Sequence, residues 1–257
     1  VPTTSPADAP TVYLAHGGGH VPELAHDVNA ELLPALLVSY PFVPQFEVAR
    51  HAYRYRHWIM DSGAFSAWNS GAVVTLDGYI ALAQRLMRDD PTLREVIALD
   101  VINDWRATTA NVEAMWRAGV PAMPTYHVGE PWDVLTGYAR DYPKVAVGGM
   151  AQVHGKEKAR FAEQVFARVW PKRLHGLAVG SHTLIQAMPW HSVDAATWAV
   201  APQKFGRWTA YSRSGAQVPL HGRGTIDKTV EIRRYLDTER RVRWRWRREM
   251  ALLEGKP

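Results

Sequence analysis

Short apolar segments alternate with longer stretches of helical periodicity along most of this chain, and that alternation limits the fold more than any other feature. The apolar segments lie at 12–15, 36–40, 58–60, 96–99, 122–126, 145–147, 174–179 and 192–194, and they read as strands. Residues 23–33, 76–87, 108–118, 132–138, 156–169 and 183–188 carry helical spacing, with Thr75 placed to cap the second of these and Gly119 to stop the third. Eight β/α units in about 200 residues predict a closed (β/α)8 TIM barrel in the α/β class. An open doubly wound sheet shares the local pattern, so the strand count carries that choice. The dinucleotide fingerprint is absent after the first strand. Gly17-Gly18-Gly19 is followed directly by His20 and reads as a turn, and no Walker sequence occurs.

Composition narrows the chemistry. The 257 residues include no Cys, which excludes disulfides, thiolate catalysis, iron–sulfur clusters and cysteine-ligated zinc. His16 and His20 are four apart but lack a third ligand at metal spacing, so no metal is expected. No apolar run approaches the roughly 18 residues of a membrane span, and residues 1–10 carry no basic-then-apolar leader. The expectation is a soluble, cytoplasmic chain with no membrane partner.

The charge is uneven. Residues 1–206 are close to neutral, whereas residues 207–257 hold thirteen Lys/Arg against six Asp/Glu, and the formal net charge is +5. Arginine dominates, and its planar fork suits phosphate oxygens. Residues 226–236 read as a helix. Beyond them Arg241, Arg243, Arg245 and Arg247 interleave with Val242, Trp244 and Trp246. Period two puts the arginines on one face of a strand; helical periodicity over 227–250 is equally tenable, because an arginine stem tolerates partial burial. A helix packed on the barrel and a nucleic-acid-binding stripe are both compatible with the segment.

Three carboxylates fall where apolar strands end: Asp61, Asp100 and Asp194. In a β/α barrel that is where chemistry sits, and a carboxylate beside an apolar strand needs a partner or a task. Flat or close-approach material lies near the same ends, in Phe65, Trp68, Trp105, Tyr126 and His127, and in Gly148-Gly149. Carboxylates can accept from the N–H and amino groups of a guanine-like ring. Paired carboxylates are also the machinery of glycosidic-bond chemistry. The combination suits a base pocket with a reaction at a glycosidic carbon.

The segment Asp61-Ser62-Gly63-Ala64-Phe65-Ser66-Ala67-Trp68 resembles the Asp-Ser-Gly-Gly-Phe-Gln motif of the queuine and archaeosine tRNA-guanine transglycosylase superfamily. Ala98-Leu99-Asp100, Tyr126-His127-Val128-Gly129-Glu130, Ala146-Val147-Gly148-Gly149 and Ser192-Val193-Asp194-Ala195-Ala196-Thr197-Trp198 follow in the family's order. The last is most similar to the form found in phage and bacterial relatives that insert 7-deazaguanines into DNA. Residues 176–180, Gly-Leu-Ala-Val-Gly, also resemble the glycine segment, but strand counting favours Gly148 and Gly149. The chain lacks the cysteines of the tRNA enzymes' zinc site, which favours the DNA branch.

The resemblance implies a catalytic barrel over 1–215 and a basic Arg/Trp-rich extension over 216–257 packed on it. It implies a pentosyltransferase exchanging guanine in DNA for a 7-deazaguanine such as 7-cyano-7-deazaguanine, with no cofactor, working beside partner proteins of a DNA-modification system. Asp194 would be the nucleophile toward C1′, and Asp61 the proton-transfer group. Asp100, His127, Gly148, Gly149 and Phe65 would bind the base. Arg207, Arg213, Arg223, Arg241, Arg243, Arg245 and Arg247 would contact phosphates. The alternatives are the same exchange on tRNA, or a nucleic-acid-binding barrel whose carboxylates are only structural caps.

Overall fold

Strand alternation sorts the apolar side chains onto two faces, and the computed structural model has a core on each. It describes residues 10–16, 21–25, 32–153, 155–199, 208–211, 217–220 and 228–253. Eight strands form one parallel sheet: β1 (Thr11–His16), β2 (Ala35–Ser39), β3 (Trp58–Asp61), β4 (Leu93–Val96), β5 (Thr125–His127), β6 (Lys144–Gly148), β7 (Arg173–Gly176) and β8 (Ser192–Ala195). Their order is β4-β3-β2-β1-β8-β7-β6-β5, so β1 pairs with β8 and the sheet curls with β4 and β5 as its edges. Tyr13, Ala35, Leu37, Ile59, Ile97, Met123 and Ala146 pack on the inside of the curl. Their neighbours Val12, Leu14, Leu36, Val38, Trp58 and Met60 join the larger core under the helices.

The strand count predicts a closed barrel, and the structure corrects that: the sheet is an open, curled half-barrel. Between β4 and β5 there is no ladder, only an isolated parallel bridge joining Ile97 to Met123. There the Ala98 N–H donates to Met123 O at 2.9 Å, and the Met123 N–H donates to Val96 O at 2.8 Å. The physical reason lies just before β5, where Pro121 and Pro124 have no N–H to give to a ladder. β4 also begins three residues earlier than the apolar run 96–99 suggests.

The helices are α1 (Val43–Ala49), α2 (Ala64–Ser70), α3 (Leu76–Asp89), α4 (Trp105–Arg117), α5 (Trp132–Asp141), α6 (Gly155–Val169), α7 (His182–Ala187), α8 (Lys228–Arg245) and α9 (Arg247–Leu253). Thr75 caps α3 as expected, its hydroxyl accepting the Gly78 N–H at 3.3 Å, and Tyr79, Ala83 and Leu86 form the buried stripe. The helix expected over 23–33 is a single 3-10 turn at Pro22–Ala25, with 26–31 outside the described residues. α1 and α2 are additions that the apolar periodicity did not single out. A separate antiparallel pair is formed by β9 (Trp208–Tyr211) and β10 (Gln217–Leu220).

The arginine-rich run 240–245 is helical, within α8. Glu239 fastens that helix to the sheet. Its carboxylate is fully buried, accepts the Val12 N–H at 3.0 Å, and takes Arg56 and Arg243 each at 2.6 Å. Higher on the same helix, the Tyr235 hydroxyl donates to Gly180 O at 2.7 Å, and its ring stacks on His182. No helix among the described residues is long and apolar enough to cross a membrane.

Candidate active site

The strand ends carry side chains into one cavity of about 620 Å3 at the C-terminal edge of the sheet. Asp61 ends β3, Asp100 follows β4, His127 ends β5, Gly148 ends β6 and Asp194 lies in β8. All five line the cavity, together with Phe65, Gly149, Ser62, Glu130 and Ala178. The structure therefore brings together the catalytic and base-binding residues expected from sequence.

Each carboxylate is held differently. Asp61 accepts the Ser39 hydroxyl at 2.8 Å and the Gly63 N–H at 2.9 Å through the same oxygen. Gly63 makes that turn at φ 70, and a Cβ there would lie 2.9 Å from Pro41 Cδ. Burial, and next the charge of Asp100, push the Asp61 carboxyl up to about 6, against the two hydrogen bonds. Asp61 is thus a carboxyl that can hold and release a proton near neutrality.

Asp100 takes the Ser62 hydroxyl on one oxygen at 2.8 Å and faces His127 Nε2 at 3.1 Å with the other. On its far side, His127 Nδ1 is 3.2 Å from Glu130 Oε1, and the His127 backbone N–H donates to Glu130 Oε2 at 2.9 Å. Burial alone would lower the imidazole, but the hydrogen bonds to Asp100 and Glu130 outweigh it and raise it to about 9. His127 is therefore an imidazolium with both ring nitrogens engaged by carboxylates. The carbonyl-edge contact expected of it would need one of those bonds to open. Gly148 is what lets the ring lie there: a Cβ on Gly148 would sit 2.8 Å from His127 Cδ2.

Asp194 lines the cavity, and its Oδ1 accepts the Ala178 N–H at 2.9 Å. Ala178 adopts φ 55, a costly conformation for a residue with a Cβ, and so presents its N–H at the price of local strain. His175 Nε2 lies 3.4 Å from the same Oδ1, within ion-pair range but without the alignment of a hydrogen bond, while its Nδ1 meets the Ser192 hydroxyl at 2.8 Å. Burial lowers the His175 pKa, against the opposing pull of Asp194.

Among the described residues, the arginines of the C-terminal run do not line this cavity. Arg243 pairs with Glu239 and donates to Pro10 O at 3.2 Å, at the start of β1 and so at the end of the sheet opposite the cavity. Arg245 packs on Trp246 and Arg247 on Trp244, and Arg241 is exposed on α8. Arg207, Arg213 and Arg223 lie outside the described residues. Sequence reasoning missed Ser39, Ser62, Glu130, His175 and Ala178 as parts of the site. Ser62 and Glu130 stood inside the motifs quoted for it, where polar residues adjoining a strand-end Asp and His were the available signal.

No family model matches the chain, and no curated protein sequence matches it. Among solved structures, the chain is similar to the tryptophan synthase alpha chain from Legionella pneumophila subsp. pneumophila, at 12% identity over 92% of each chain with a TM-score of 0.51. It is also similar to the carboxyl transferase domain of Rhizobium etli pyruvate carboxylase with 3-bromopyruvate, at 12% identity over 92% of this chain and 48% of that one, TM-score 0.47. KGPDC from Streptococcus mutans gives 13% identity, coverage of 91% and 98%, and a TM-score of 0.41. At such identities the first likeness shows the fold alone, and the other two are too loose to carry an argument.

These findings overturn the transglycosylase resemblance: no family model and no curated sequence ties the chain to the guanine transglycosylases, and the likeness to the tryptophan synthase alpha chain shows a general TIM-barrel-like fold alone. The quoted motifs are segments of three to eight residues at strand ends, and a strand-end Asp followed by small residues is a solution that β/α folds share. With it fall the queuine-type kinship, the phage association and the 7-deazaguanine substrate, and neither glycosyltransfer nor DNA modification has a relative to support it, so any such reaction has to rest on the residues of the site alone. What stands is an α/β half-barrel of a kind frequent among enzymes, with carboxylates gathered at its C-terminal mouth.

Proposed function

We propose that the protein is a pentosyl-transferring enzyme that exchanges guanine at the glycosidic carbon of a nucleotide in DNA, with Asp194 forming a covalent ester to C1′. The observation that supports this most directly is the convergence of Asp61, Asp100 and Asp194 on one cavity, with Asp61 shifted to about 6. In the first displacement, Asp194 Oδ2 attacks C1′ and the C1′–N9 bond breaks. The bonding pair stays with N9, which takes a proton from Asp61, so the base leaves neutral. In the second, the incoming base gives its N9 proton to Asp61 and attacks C1′, and the Asp194–C1′ bond breaks to return the carboxylate. Anionic neighbours favour the oxocarbenium character that develops at C1′.

Asp100 is the group proposed to read the base. Each carboxylate oxygen has two acceptor sites, so the bonds from Ser62 and His127 leave one on each for the ring N1–H and the 2-amino group. The test is exchange of labelled guanine into duplex DNA, single-stranded DNA and tRNA, with denaturing electrophoresis to trap the ester. Wild type is expected to form an adduct with DNA, and Asp194→Ala is expected to form none while still binding the strand. Exchange confined to tRNA would move the substrate to RNA, and an undiminished adduct in Asp194→Ala would remove Asp194 as nucleophile.

A further inference from the structure

The C-terminal helices carry a charged surface that the proposed chemistry at C1′ does not use. Arg241 and Arg245, four apart on α8, and Arg247 and Arg248, which open α9, are all exposed. Trp244 stands among them, 72% exposed. The carboxylates of the same run are mostly committed: Asp237 is paired with Arg240, and buried Glu239 with Arg56 and Arg243. Half-buried Glu249 is the one left in 237–249, against four exposed arginines that have no ion-pair partner among the described residues.

The patch is anchored and partly ordered by its own rings. The Trp246 Nε1–H donates to Gln186 O at 3.1 Å, at the end of α7. The Arg245 guanidinium lies 5.3 Å from the centre of the Trp246 ring, and that of Arg247 lies 5.3 Å from the Trp244 ring while donating to Trp244 O at 3.2 Å. An anionic lipid surface also attracts Arg/Trp segments, but a helix lying in a membrane interface needs a free apolar face. Here that face is spent on the protein: Tyr235, Leu236 and Val242 are buried and Trp246 is half-buried. What remains outside is planar cations and one flat ring. That combination fits phosphates with a base between them.

We propose that this surface docks a single-stranded polynucleotide, with the four arginines on phosphates and Trp244 against a base. Resting on the reaction proposed above, the strand is the DNA whose reacting nucleotide occupies the mouth. Arg243 holds Pro10 O, so the patch lies at the end of the sheet opposite the cavity. The length of β1 alone puts about 20 Å between the two. A strand therefore needs about six nucleotides or more, at about 3.4 Å each, to reach both. The patch is thus a remote hold on long strands and contributes nothing to the contacts of the single nucleotide that reacts.

The experiment is fluorescence anisotropy of a labelled thymidine strand of about 24 nucleotides with the whole chain, between about 50 and 200 mM salt, beside vesicles of phosphatidylserine and phosphatidylcholine. Arg241→Gln, Arg245→Gln, Arg247→Gln and Arg248→Gln combined should weaken strand binding about tenfold or more and reduce the slope of log K against log salt by about 3. Trp244→Ala should weaken binding about tenfold with the slope unchanged, since it removes stacking and no charge. Exchange into a strand of about four nucleotides should be the same in wild type and the arginine variant, whereas the long strand should lose its advantage. Absence of exchange with every strand would defeat the proposed reaction, while the binding measurements still decide the docking surface. An unchanged salt slope in the arginine variant, or vesicles bound as tightly as the strand, would overturn the proposal.

Discussion

Replacing Asp61 by Asn should inactivate the protein and at the same time make it more stable. The folded carboxyl keeps its proton up to about pH 6, whereas the unfolded one releases it near 3.8. Between those values the native state binds more protons, so wild-type stability falls as pH rises through the window and stays at the lower level above it. At about 1.4 kcal/mol per pH unit, the ionised carboxylate costs the fold about 3 kcal/mol. An amide at this position carries no charge to desolvate and feels no repulsion from Asp100. It accepts less strongly from Ser39 and Gly63, which leaves a net gain of about 2 kcal/mol. For a chain of this size that corresponds to a thermal midpoint about 4–8 °C higher at pH 8. At pH 4 the wild-type group is protonated in the fold, and the difference should shrink to near zero. The assay is thermal unfolding followed by circular dichroism for both proteins across pH 4–8. A destabilised Asp61→Asn at pH 8, or a gain of equal size at pH 4, would refute the reasoning that burial and Asp100 raise this carboxyl.

Two further outcomes follow from contacts described above. Glu239→Gln leaves Arg56 and Arg243 facing an uncharged side chain in a buried setting, and should cost about 3 kcal/mol or more, read as a lower urea midpoint. Gly148→Ala places a methyl 2.8 Å from His127 Cδ2, so the ring must leave Asp100. Its imidazole proton signals should then titrate well below about 9 with base exchange lost, and the thermal midpoint should fall most below pH 6.5 and change little above about pH 9.

Most strand positions were legible because they are apolar runs closed by a turn residue, and the three aspartates were legible because they stand at or near such closures. The missing β4–β5 ladder was not. Leu93–Val96 contains Arg94 and Glu95, which line a cavity rather than a core, so its pattern does not look like a strand. The partners of Asp100 were only half visible: His127 was chosen as a flat group for a base, but Glu130, three residues on, turns it into a fixed cation. Charge counting over the last fifth of the chain could not separate Arg243, which neutralises Glu239 inside the protein, from arginines exposed to solvent. Long-range pairing of that kind, between residues 12, 56, 239 and 243, leaves no local signature.

The missing ladder divides the mouth into walls of unequal compliance. Asp194 stands on β8, which is hydrogen-bonded to strands on both sides, and β1 next to it is pinned by Glu239. Asp100 and His127 stand on the two edges of the sheet, joined below only by the Ile97–Met123 bridge. Widening the seam breaks few backbone hydrogen bonds, yet it must part Asp100 from His127, 3.1 Å apart across it. The recognising side of the mouth is thus latched by one side-chain ion pair, while the side proposed to attack is held by the sheet itself.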